Sequence, residues 1–148
     1  MTVKKFLELS TCIRQFTPTY SLQTVRPRVL CKDGFSVSIQ ANHNAYCTPE
    51  ADLKDGNYTE VELGYPNQED GMLLDYAEDV DCPTCTVYSH VPIEVIEKVC
   101  ENHGGIIAPD MSNMRFSDKT KKELEMFDTL IDGFRKNCNA YNDGISRQ

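Results

Sequence analysis

The stretch from Arg28 to Gln40 constrains the fold more than any other part of the chain. Arg28, Val29, Leu30 and Cys31 lead into Asp33-Gly34, a dipeptide that closes a tight hairpin because both positions tolerate positive φ. Beyond it Phe35, Val37 and Ile39 alternate with Ser36, Ser38 and Gln40. A period of two puts the apolar residues on one face and the polar ones on the other, the pattern of a half-buried antiparallel strand. Thr59, Val61 and Leu63 repeat the alternation against Glu60 and Glu62. A strand over Ala45 to Thr48, ended by Pro49, and another over Thr84 to Val91 complete an antiparallel sheet of four to five strands within residues 25–91.

Helical spacing appears on either side of that sheet. Val3, Phe6 and Leu7 mark a short amphipathic helix over 3–9, and Met72 to Ala77 suits one helical turn. Pro92 suits the first position of a helix because its missing N–H is not needed there. Ile93, Ile96, Val99, Cys100 and His103 follow at helical spacing, and Gly104-Gly105 provides a stop. This helix, over 92–103, is expected to cover the sheet. After a polar linker, Ala108 to Asn113, a longer amphipathic helix is expected over 117–138, capped by Ser117 or Asp118. Its stripe of Leu124, Phe127, Leu130, Ile131, Phe134 and Cys138 serves either the domain's own core or a partner helix. The fold class is α+β, and 148 residues suit a single domain.

The charge is uneven. The chain carries 23 acids against 15 bases, a formal net charge of -8. Asp52, Asp55, Glu60, Glu62, Glu69, Asp70, Asp75, Glu78, Asp79 and Asp81 share one window with Lys54 as its single base. Such a window repels the phosphates of duplex DNA, whose binding depends on Lys and Arg. These acids form either a solvated face or a mimic of a nucleic-acid backbone. The first ten residues lack the apolar core of a secretory signal, and no stretch is long enough to cross a membrane. Seven cysteines are therefore expected as reduced thiols in the cytoplasm.

Cys82-Pro83-Thr84-Cys85, followed by Cys100 and His103, is the strongest local signal for a metal, since two intervening residues let a turn present both ligands to one zinc ion. The competing reading places Cys100 and His103 on the inner side of a core helix. His43, His90 and His103 stand far apart, without a nucleophile elbow, a zinc-protease motif or a phosphate-cradling glycine loop. No catalytic residue and no cofactor is expected. Anion binding needs less. Arg26 and Arg28 flank Pro27, and a guanidinium can grip phosphate oxygens in a fork. Tyr46, Tyr65, Tyr76, Tyr88 and Phe116 supply surfaces on which a base could stack, and Arg115 adjoins Phe116. Edge-strand charges and core tyrosines are the plainer account of the same residues.

Three stretches, Val25 to Ala41 (VRPRVLCKDGFSVSIQA), Tyr58 to Pro66 (YTEVELGYP) and Thr86 to Gly105 (TVYSHVPIEVIEKVCENHGG), resemble a group of small phage and prophage proteins, most of all the signal-sequestering Thoeris anti-defence proteins. The resemblance implies a homo-oligomeric sponge in the host cytoplasm. Such a protein holds a cyclic ADP-ribose-type immune signal without catalysis, with Arg28 on phosphate, Tyr46 and Tyr88 stacking, and Arg115 as a further donor. The chain departs from that pattern at Cys47-Thr48-Pro49-Glu50, where the family is expected to carry an arginine in place of Glu50. The alternative expectation is an acidic interaction protein, an anti-CRISPR-like nucleic-acid mimic that occupies a host defence effector.

Overall fold

The computed structural model describes residues 1–11, 14–16 and 22–110. Helix α1 spans Val3–Leu9. It begins where the Thr2 hydroxyl accepts the Lys5 N–H at 3.0 Å and ends where the Ser10 hydroxyl donates to the Phe6 carbonyl at 2.6 Å. Its apolar side, Val3, Phe6 and Leu7, is buried. A two-stranded ribbon of β1 (Arg14–Phe16) and β2 (Leu22–Thr24) follows.

The main sheet contains β3 (Arg28–Cys31), β4 (Ser36–Gln40), β5 (Glu60–Gly64), β6 (Val87–Pro92) and β7 (Ile106–Asp110). All its neighbours are antiparallel, in the order β6-β5-β4-β3-β7. The β3–β4 turn is the one expected at Asp33-Gly34. The Asp33 carboxylate accepts the Phe35 N–H at 2.9 Å, and of the pair only Gly34 takes positive φ. Val29, Val37, Ile39, Val61, Leu63, Tyr88 and Val91 bury one face of this sheet, in a core shared with α1.

Helix α2, Ile93–Asn102, carries the chain from β6 at one edge of the sheet to β7 at the other. Pro92 sits one position earlier than expected, as the residue before the helix, where its fixed φ still suits the entry. Ile96, Val99 and Cys100 are buried in the common core, and Glu97 ties α2 to α1 by accepting the Val3 N–H at 2.7 Å. Gly104 and Gly105 both have positive φ, 90° and 87°. Two such residues in succession end the helix at a backbone conformation that side chains resist.

Two expectations are corrected. Residues Ala45 to Thr48 form no strand; their N–H groups close local turns, Ala45 to Asn42 and Cys47 to Ala45, and Thr48 alone makes an isolated bridge to Glu60. The fifth strand comes instead from Ile106–Asp110, whose last three residues fall in the expected linker. Pro109 is tolerated there because, among the described residues, β7 is an outer strand of the sheet. The helix expected over 117–138 lies outside the described residues.

Candidate functional site

The described residues among those expected to bind an anion stand in different surroundings. Arg26 lies in the interior, 2% exposed. Its Nη1 donates to the Ala41 carbonyl and its Nη2 to the Leu7 carbonyl at 3.3 Å. Its guanidinium stands 5.9 Å from the centre of the Tyr58 ring. Arg28 is half-buried, and its Nη2 donates to the Ser36 carbonyl (3.1 Å), the Ser36 hydroxyl (3.0 Å) and the Tyr65 carbonyl (2.8 Å). Tyr88 is a core residue whose hydroxyl donates to the Pro83 carbonyl at 2.6 Å, so its ring has no face for a ligand. Tyr46 is 49% exposed. Arg115 and Phe116 lie outside the described residues.

The four residues of the zinc alternative go to three different places. Cys82 and Cys85 are joined in a disulfide, so these two are not the thiols expected. A turn in which the Cys85 N–H donates to the Cys82 carbonyl brings their Cα atoms to 5.4 Å, within reach of a bridge. Cys100 is buried beside Cys31; the hydrogen bond with Cys31, and then burial, push its thiol well above the usual range. Among the described residues no group of three or more His, Cys, Asp or Glu side chains is arranged to hold a metal.

His103 is committed elsewhere. It stacks on Phe35 with ring centres 4.1 Å apart and planes 7° from parallel. Its Nδ1 is 2.7 Å from Asp33 and its Nε2 2.9 Å from Asp70. Both nitrogens can donate only when the ring is an imidazolium. Burial opposes that charge, but the hydrogen bonds to Asp33 and Asp70 outweigh it and raise the histidine above its ordinary pKa. Asp33 is lowered, first by the Phe35 N–H and then by His103. The clamp's histidine contribution is therefore complete below the ordinary value and lost as pH rises through the raised folded one. On the acid side the Asp33 contribution is lost as pH falls through its lowered folded value. We expect the urea midpoint to fall as pH rises above about 6.5, and a His103→Gln variant to lack that decline. An identical pH profile in the variant would rule the clamp out as its source.

A second cluster surrounds the bulge that shifts the β5–β6 register between Val61 and Leu63. His90 has φ 49°, a strained value for a non-glycine residue. Its N–H donates to the Tyr46 carbonyl at 3.0 Å, and its Nδ1 is 3.3 Å from Glu60. The Thr48 hydroxyl donates to the same Glu60 oxygen at 2.6 Å.

Beside this cluster is a concavity of about 190 Å³ lined by Val25, Gln40, Asn42, Asn44, Ala45 and Glu62. Gln40 and Glu62 are direct partners across the β4–β5 ladder, so the sheet fixes their separation. Glu62 accepts the Tyr46 N–H at 3.2 Å. Burial raises its carboxyl above the usual range, the Tyr46 N–H opposes, and Glu78 adds to the rise. The alternation along β5 reads Glu62 as a solvent-face acid, and nothing in the sequence singles out Gln40 or Asn42. The available signal was the pairing of a polar residue on β4 with an acid on β5, visible only once the register is known.

The segment 65–85 contains neither lysine nor arginine. Glu69, Asp75, Glu78, Asp79 and Asp81 are exposed along it. Among them stand Tyr65 (53% exposed), Met72 (42%) and Val80 (60%). Asn67 fixes the start of the segment by accepting the Ser36 N–H and donating to the Gly34 carbonyl. Asp70 on His103 fixes its middle. No family model, curated protein or solved structure matches the chain.

Proposed function

We propose that the protein acts by binding, without catalysis, as an acidic interaction module that occupies a basic, nucleic-acid-binding surface on a host defence protein. One observation carries the reading: exposed apolar side chains at Tyr65, Met72 and Val80 are set among acids in a segment with no lysine or arginine. Apolar anchors ringed by charge are the makings of a protein interface, where the anchors supply affinity and the charges select and steer the partner.

The test uses purified nucleic-acid-binding effectors of bacterial defence, captured on the immobilised protein at low and physiological salt. We expect binding to weaken about tenfold or more over that salt range and a competing nucleic acid to displace the complex. The triple variant Glu78→Gln, Asp79→Asn, Asp81→Asn should lose the salt dependence. Capture that ignores both salt and the triple variant overturns the reading.

Sequestration of a cyclic ADP-ribose-type signal is a second reading, favoured by one pairing: Arg28 beside the exposed Tyr65, whose carbonyl it holds. In that form α2 covers the sheet and the amphipathic helix over 117–138 joins copies into a homo-oligomer that completes the site with Arg115 and Phe116. Protein mixed with cyclic ADP-ribose isomers and then denatured should release intact nucleotide. Release of none from any isomer removes this reading.

A further inference from the structure

We infer that the concavity beside the β4–β5 pair is a receptor for a guanidinium group, the side chain of an arginine on the basic partner. The source of the arginine rests on the interaction reading above; the chemistry rests on the walls alone. Gln40 spends both of its Nε2 hydrogens, on the Arg26 carbonyl at 2.8 Å and the Ser38 hydroxyl at 3.0 Å. Its Oε1 accepts the Arg26 N–H at 2.9 Å. Asn42 donates to the Thr24 carbonyl at 2.9 Å and accepts the Asn44 N–H at 2.8 Å.

Each amide oxygen can accept a second hydrogen bond. Glu62 has the Tyr46 N–H on one oxygen and takes part in none of the ion pairs among the described residues, although His90 lies close enough to favour its charged form. The wall thus offers a carboxylate and two amide oxygens; the Gln40 donors are all engaged, and the amide hydrogens of Asn42 and Asn44 are the donors that remain beside them.

This inventory decides between ligand classes. A phosphate would meet Glu62 and two acceptor oxygens, a repulsive set. A flat cation with several N–H donors in one plane matches it, and guanidinium is that group among side chains. Val25 and Ala45 line the same space and suit the methylene stem behind the charged head. Burial holds the Glu62 carboxyl above its usual range, and a bound cation relieves the cost of ionising it there.

The probes are N-acetyl-arginine amide, its uncharged citrulline counterpart, N-acetyl-lysine amide and inorganic phosphate. Each is titrated into the full chain while the backbone amide signals of Tyr46 and Glu62 are followed by NMR. We expect the arginine amide to move both signals, the citrulline amide to bind about tenfold more weakly, the lysine amide to fall between them, and phosphate to leave both in place. Glu62→Gln should bring arginine binding down to the citrulline level, and the probe series on the unmodified protein carries the test should that variant not fold. Equal binding of arginine and citrulline amides, lysine binding as tight as arginine, or displacement of arginine by phosphate overturns the inference. Probe binding that behaves as expected while no basic effector is captured supports the receptor and removes only the partner reading.

Discussion

Replacing Arg26 with alanine is expected to lower the unfolding free energy by about 3 kcal/mol. Three terms decide the sign. The guanidinium is buried without a carboxylate partner among the ion pairs of the described residues, its Nε has no hydrogen-bond partner, and desolvation lowers its pKa. Deleting the group gives back that desolvation cost. Against this, the Ala41 carbonyl loses the Arg26 Nη1 donor inside the protein, at a cost of about 1–3 kcal/mol. The Leu7 carbonyl loses less, since the Ser10 hydroxyl also reaches it at 3.4 Å. The space left beside the Tyr58 ring adds a cavity penalty of similar size. Arg26→Met separates the terms, because it refills the space without restoring a donor. We expect it to recover the packing part and remain about 1–2 kcal/mol below the parent in urea unfolding. A methionine variant as stable as the parent would show that desolvation cancels the hydrogen bonds.

Gly56→Ala should be nearly as damaging, with a melting temperature lower by about 10 °C. Gly56 has φ 67°, and a Cβ built there stands 2.6 Å from the Glu8 nitrogen and 2.9 Å from the Leu7 carbonyl carbon. Both obstacles are backbone, so no rotamer relieves them, and the α1 turn that holds the Arg26 contact must move. The positive φ costs a further ~1 kcal/mol for an L side chain. Gly71→Ala is the control. Nothing lies within 4 Å of its added Cβ, so it should melt with the parent. If Gly56→Ala also melts with the parent, the seam between α1 and the 51–58 loop yields more easily than its geometry implies.

These two positions also show where sequence reasoning stops. The β3–β4 hairpin, β5 and α2 are legible because each announces itself locally, through the Asp33-Gly34 turn, the Glu60 to Leu63 alternation, and the Pro92 and Gly104-Gly105 boundaries. Strand β7 is not. Ile106-Ile107-Ala108-Pro109-Asp110 has no alternation of its own, and it forms a strand because β3 offers it an open edge. Arg26 reads as a surface cation until α1 places the Leu7 carbonyl in its reach. Tyr88 reads as an aromatic surface, yet the core takes its ring while Pro83 satisfies its hydroxyl. In each case the deciding partner is distant in sequence, so the side chain's identity fixes its chemistry but not its destination.

The acidic segment has one more neighbour. Ala77 bridges Tyr88, the Glu78 N–H donates to the Val87 carbonyl at 3.0 Å, and the Asp79 N–H donates to the Thr86 hydroxyl at 3.1 Å. Strand β6 is the last of the sheet on that side, and a bare outer strand is a template for pairing with another chain. The same residues that present negative charge to the outside therefore cover the start of the β6 edge against pairing with another copy. Trimming the segment to reduce its charge would trade repulsion for stickiness, and the cost would appear as aggregation before any change in the core.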